Sequence, residues 1–202
     1  MSSIGNTIKL TIGASIVLCS VLLPFSAYAA TSSTGGTTVN ATVASTISLS
    51  TNTAVSIGLT PTSGGVVSSG SDTVSVSTNN VNGYTLTLSD TDSNTSLVSG
   101  GNSIAAHVGS QAAPTALAAN TWGYRVVGVG GFGAAAYTSE TNNSSSNSIW
   151  AGVPVLNSAN TIKTTNVTAA SDVTTVYYGV KATTSKPSGT YVDTVTYTAI
   201  TN

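Results

Sequence analysis

The chain has 202 residues but only five Lys or Arg, six Asp or Glu and one His, for a formal net charge of -1. Binding nucleic acid through its phosphates needs clustered cations, and five spread along the whole length exclude it. Roughly a third of the residues are Ser or Thr, a composition that favours strands joined by polar turns and leaves hydroxyls and amides, rather than charge, to keep the surface wet.

Residues 1–29 carry Lys9, an apolar run from Leu10 to Phe25 and the small-residue pattern Ala27-Tyr28-Ala29 before Ala30, which together predict a cleavable export segment. Thr11, Gly13, Ser15 and Ser20 interrupt the run, and it falls short of the ~20 apolar residues of a spanning helix, so no stable membrane anchor is expected after cleavage. The bulky Leu18 beside Cys19 argues against lipid attachment there. Cleavage after Ala29 removes that one cysteine, and with it any disulfide or thiolate metal site within a single chain. The product is expected to be secreted and to stay at the cell surface. Residues 30–38, which include "TSSTGGTT", read as a flexible leader to a single domain spanning 39–202.

From Thr37 to Ser50 apolar residues recur with period two, Val39, Ala41, Val43, Ile47 and Leu49 on one face, which predicts one strand. Val55, Ile57 and Leu59 repeat the alternation as far as Pro61. Val74 and Val76 continue it, and after Asn82-Gly83 come Tyr84, Leu86 and Leu88, so a hairpin or a sharp corner is expected there. In "TWGYRVVGV" the residues Trp122, Tyr124 and Val126 share one side and Arg125 and Val127 the other. Thr138 to Asn147, "TSETNNSSSN", offers nothing to bury and reads as a surface loop. Val173–Val180 and Tyr191–Ile200 supply two long closing strands around Pro187 and Gly189. Eight or nine strands and no convincing helix predict an all-β fold, an antiparallel β-sandwich of immunoglobulin-like or jelly-roll-like type.

Catalytic signatures are sparse. His107 has no His or Cys near it in sequence, and "GVGGFG" lacks the Lys-Ser/Thr end of a phosphate loop, so it reads as a turn where backbones crowd. An enzyme would have to be assembled from Asp72, Asp90, Asp92, Asp172, Asp193, Glu140 and His107, and Glu140, the sole glutamate after the leader, lies in the polar loop. A non-enzymatic protein is expected. Asp90, Asp92 and Asn94 space oxygen donors as calcium ligands do, but Thr95 and Gly101 stand where a helix-flanked calcium loop needs Gly and Glu; the plainer reading is a turn closing the Tyr84–Leu88 strand. Trp150 follows the polar loop and is expected to be partly exposed, which makes it the candidate ligand-contact residue; the aromatics also open the alternative of a carbohydrate-binding module.

"NNVNGYTLTLSD" and "KPSGTYVDTVTYTAIT" resemble the wall-associated β-domains of Gram-positive bacteria named for a Trp-x-Leu motif and, more loosely, small secreted β-rich surface proteins. Asn82, Gly83 and Leu86 match the first motif, with Tyr84 where its Trp would be. Gly189, Thr190 and Tyr191 match the closing strand, with Tyr197-Thr198-Ala199 in place of the second motif, so both signature tryptophans are absent. The resemblance implies a surface structural or adhesion protein whose partners are cell-wall polymer or other surface proteins. A further alternative is a fibre subunit, the strand from Val39 being donated to a neighbour's open edge.

Overall fold

The computed structural model describes residues 31–202, so the expected export segment lies outside the described residues. Residues 31–41 are exposed and have no secondary structure. The compact unit, Thr42–Asn202, contains eleven strands and one short 3₁₀ turn, Gly130–Phe132, and no α-helix among the described residues. The strands are β1 (Ile47–Ser50), β2 (Val66–Thr78), β3 (Tyr84–Asp90), β4 (Leu97–Ser99), β5 (Asn102–Ala106), β6 (Thr115–Ala116), β7 (Thr121–Val126), β8 (Ile149–Trp150), β9 (Asn160–Thr164), β10 (Ala169–Ala182) and β11 (Val195–Thr201). A six-stranded sheet has the order β1-β2-β10-β7-β5-β4, with β5 and β7 parallel and the other pairs antiparallel. A three-stranded antiparallel sheet has the order β11-β3-β9, and β6 pairs with β8. The fold is therefore all-β, and its large sheet is mixed.

One apolar cluster takes side chains from both larger sheets: Val74 and Val76 of β2, Val176 and Tyr178 of β10, and Leu86 and Leu88 of β3. Each such side chain, fully covered, stabilises by up to about 1.5–3 kcal/mol. A polar stitch joins the sheets beside it, where Tyr84 donates to Asp172 (2.9 Å) and Lys163 pairs with the same carboxylate (2.6 Å). Burial pushes the Asp172 carboxyl up, but the hydrogen bonds from Lys163 and Tyr84 and the lysine's charge outweigh it and hold Asp172 below the usual range.

Of the hairpin or sharp corner expected at Asn82-Gly83, the corner is the one found. β2 and β3 belong to different sheets, and the Asn80–Gly83 turn carries the chain between them, Gly83 N–H donating to Asn80 O (3.0 Å). Gly83 has φ 78° and its absent Cβ would lie 2.4 Å from the Thr165 carbonyl oxygen, so only glycine fits. The long first strand is corrected: only Ile47–Ser50 is a strand, and Val39 and Val43 are 87% and 83% exposed. Its partner runs out, because Ile47 faces Thr78, the last residue of β2. Beyond that point the Asn79 side chain takes the Thr46 N–H and donates to Ala44 O in place of a ladder. The last strand is shorter than expected as well, starting at Val195 and pairing only with β3.

Part of the second face of the large sheet is covered too, around Val67 and Gly179, while Ser71, Thr73 and Val173 on that face stay exposed. The Thr138–Asn147 surface loop is tied to β2 through main-chain bonds, Val67 with Asn143 (2.9 and 2.8 Å) and Ser69 N–H to Glu140 O (2.9 Å). This brings Tyr137 over Arg125, whose guanidinium lies 4.2 Å from the ring centroid, and the arginine is buried. Trp150, expected to be partly exposed, is corrected here. It is fully buried in a second cluster with Val67 and Leu117, set edge-on to Tyr137 at 5.5 Å between ring centroids. The physical reason is Gly179 of β10, where a Cβ would come within 2.6 Å of the indole ring; the bare backbone there is the floor on which Trp150 lies. We predict that Trp150→Ala lowers unfolding free energy by about 3–5 kcal/mol, whereas Trp150→Phe, which keeps the ring and removes an indole N–H that has no partner, costs far less. Urea titration of the two variants measures both.

Candidate functional site

After β1 the chain leaves the ladder, bends at Thr53 and runs on to Pro61 without secondary structure. Val55, Ile57 and Leu59 are half-buried against the core while Ala54, Ser56 and Gly58 are exposed, which is strand periodicity without a strand's hydrogen bonds. Among the described residues, 53–59 make no main-chain hydrogen bond. The segment is held at its ends instead, by Asn52 N–H to Asp72 (3.0 Å), Thr60 N–H to the Asn142 side chain (2.7 Å) and a bridge between Thr62 and Thr183. Gly70 of β2 lets it approach, since a Cβ there would lie 2.8 Å from Val55 Cγ1.

The segment leading into β11 turns at Thr184–Ser185 and bends at Ser188–Gly189, and it too lies outside a ladder. Lys186 N–H bonds Thr183 O, and Val192 exchanges two bonds with Val98, but 187–191 make none from main chain to main chain. These two segments flank a cleft of about 940 Å³, floored by Trp122 of β7 and by Tyr178 and Val180 of β10. Asp72, buried in β2, accepts from Thr51 and Asn52 at one side, and the Tyr178 and Tyr197 hydroxyls share a hydrogen bond of 2.6 Å. Burial raises both phenols above their ordinary range, with Asp72 adding to the effect. A smaller hollow of about 590 Å³ lies between β9 and β10, beside the Lys163–Asp172 pair.

Asp90 and Asp193 apart, the acids expected from the sequence do not come together as pairs. Asp172 belongs to the stitch between the sheets, Asp72 to the cleft, and Glu140 bonds Ser148 and Asn143 within the covering loop. His107 is buried and hydrogen-bonded to Thr115 (2.8 Å), and burial lowers its pKa. Asp90, Asp92 and Asn94 form a run of turns in which Asp90 Oδ1 accepts from Asp92 N–H, Asp92 Oδ1 from Asn94 N–H and Asn94 Oδ1 from Ser96 N–H. Among the described residues no group of three His, Cys, Asp or Glu side chains is placed to hold a metal ion. Trp150, enclosed on the opposite face of the large sheet from Tyr178, takes no part in the cleft.

One pairing was missed. Asp90 ends β3 and Asp193 lies just before β11; because Asp90 is the register partner of Val195, the antiparallel ladder brings the two carboxyl groups within hydrogen-bonding reach. Each spends Oδ1 on a local N–H, Asp92 or Thr194, and each leaves a buried Oδ2 without a partner. Pairing Tyr84–Asp90 with Val195–Thr201 in the sequence would have exposed the match. No protein-family model, curated protein or solved structure matches this chain.

Burial, with the neighbouring Asp90 and Asp92, pushes the Asp193 carboxyl up to about 6 from 3.8. The folded state then holds more protons than the unfolded one between those values, so stability falls as pH rises through this window and stays lower above it. Asp193→Asn keeps an acceptor for Thr194 N–H and offers a donor to Asp90. It is expected to raise stability at about pH 8 by ~1–2 kcal/mol, allowing for solvent screening, and to lose that advantage near pH 4. Denaturation midpoints of both proteins across this range measure it.

Proposed function

We propose that this chain is an exported, non-enzymatic surface protein, its two larger sheets forming the layers of a sandwich, and that its cleft receives an extended stretch of polypeptide from another surface protein. The observation that carries the reading is that each of the cleft's two walls has a run of residues, 53–59 and 187–191, that make no main-chain-to-main-chain hydrogen bond. Backbone N–H and C=O groups in an extended conformation are matched by another extended chain, which supplies the same groups at the same spacing. The hydroxyl-rich, charge-poor composition supports a surface made for contact with neighbours rather than for repulsion.

A sugar is less well served by the same cleft. Trp122 and Tyr178 are 3% and 7% exposed, which leaves Tyr191 and Tyr197 as the half-exposed rings on which a pyranose would have to stack. Fluorescence anisotropy with labelled nonapeptides of alternating Val and Thr is expected to show saturable binding, while purified peptidoglycan leaves the protein in the supernatant. Retention in the peptidoglycan pellet without peptide binding would replace this reading with wall association.

A further inference from the structure

We propose that the polypeptide received by the cleft is the Thr37–Ser45 arm of a second copy of this chain, so that copies join head to tail. The inference rests on the polypeptide reading of the cleft and names its occupant. The arm alternates Val39, Ala41 and Val43 with Asn40 and Thr42, and neither valine is covered in its own copy. Exposed apolar residues at period two form the face of a strand that has no sheet. Nine residues reach about 30 Å when extended, and residues 53–59 supply seven successive positions for such a chain to lie along. The arm carries no charge. It therefore brings no unpaired ion into a cleft that already holds the buried Asp72 carboxylate. Small branched side chains also suit a floor filled by Trp122 and Tyr178, where a large ring would meet rings.

The contact joins an arm to a cleft, two unlike stretches of the chain, so it is heterologous and repeats without closing on itself unless the geometry makes a ring. The product is a thin filament whose terminal subunit has an empty cleft. Residues 46–50 enter β1 directly, so the arm and one wall of the cleft belong to one continuous stretch of chain.

Sedimentation velocity and negative-stain electron microscopy of the full chain test this, with a labelled Thr37–Ser45 peptide as the probe. Wild-type protein is expected to form species that lengthen with concentration, and the free peptide to shorten them. Val39→Asp with Val43→Asp, both at exposed positions, should leave melting unchanged and the protein monomeric. Ser56→Pro removes a main-chain N–H from the cleft wall at an exposed position and should weaken peptide binding about tenfold. Ile57→Arg serves as a second cleft variant. An arm variant mixed with a cleft variant should stop at one-to-one dimers, because only one arm and one cleft remain. Wild-type protein that stays monomeric at all concentrations, or assembly indifferent to the arm substitutions, overturns the proposal. If an unrelated Val/Thr peptide binds the cleft and the arm peptide does not, the occupant is wrong and the polypeptide reading stands; if neither binds, both fall.

Discussion

The antiparallel ladder between β2 and β10 is the constraint on which the rest of the structure depends. Its register runs from Asp172 opposite Val76 to Ala182 opposite Val66, long enough for one pair of strands to organise both faces of the large sheet. On one face Val74, Val76, Val176 and Tyr178 meet the smaller sheet; on the other, Val67 and Tyr177 meet Trp150 and Tyr137. Because successive side chains alternate across a strand, a one-residue slip would exchange the two sets and bring Gly179 out from under the indole. Both clusters thus enforce one register. A sheet with one solvated face would have only half of this specification.

Much of the fold was legible because period-two patterning is a local property. Val74 to Thr78, Tyr84 to Leu88 and Val173 to Val180 are all strands where the alternation places them. What the sequence did not disclose depends on partners far along the chain. Val39 to Thr46 has the right pattern, but β2 has already turned at Asn79 and there is no strand to pair with. Trp150 follows a polar loop and looks exposed, but the hollow that receives it is made by Gly179, whose place beneath the ring only the fold defines. "TSETNNSSSN" has nothing apolar to bury, and side-chain composition is silent about the backbone bonds that Glu140 and Asn143 give to β2.

The candidate site was less legible than the fold. Asp90 and Asp193 were both visible as acids, 103 positions apart, and became a pair only through the β3–β11 register. Asp-x-Asp-x-Asn suggested a set of ligands converging on one point. The structure directs one oxygen of each side chain onto the next N–H, as short polar side chains do when they stabilise consecutive turns. The cleft itself left a trace in the Val55, Ile57, Leu59 alternation. That trace announces a buried face and does not say whether the strand's hydrogen bonds are made.

That distinction governs what the cleft can hold. A segment such as 53–59 hides its apolar side chains while its main-chain groups are left to water, an arrangement that is inexpensive only as long as water reaches them. An occupant that excludes that water must replace it with donors and acceptors at a rise of about 3.4 Å per residue, or the buried groups each cost on the order of 1–3 kcal/mol. An apolar ligand fails this condition outright. A rigid sugar ring meets it at a few points, whereas an extended chain meets it along the whole wall and also presents alternate side chains to the Trp122 and Tyr178 floor. The opposite wall, 186–194, ends at the Asp90–Asp193 pair, and the backbone bonds of Val192 with Val98 tie that wall to β4.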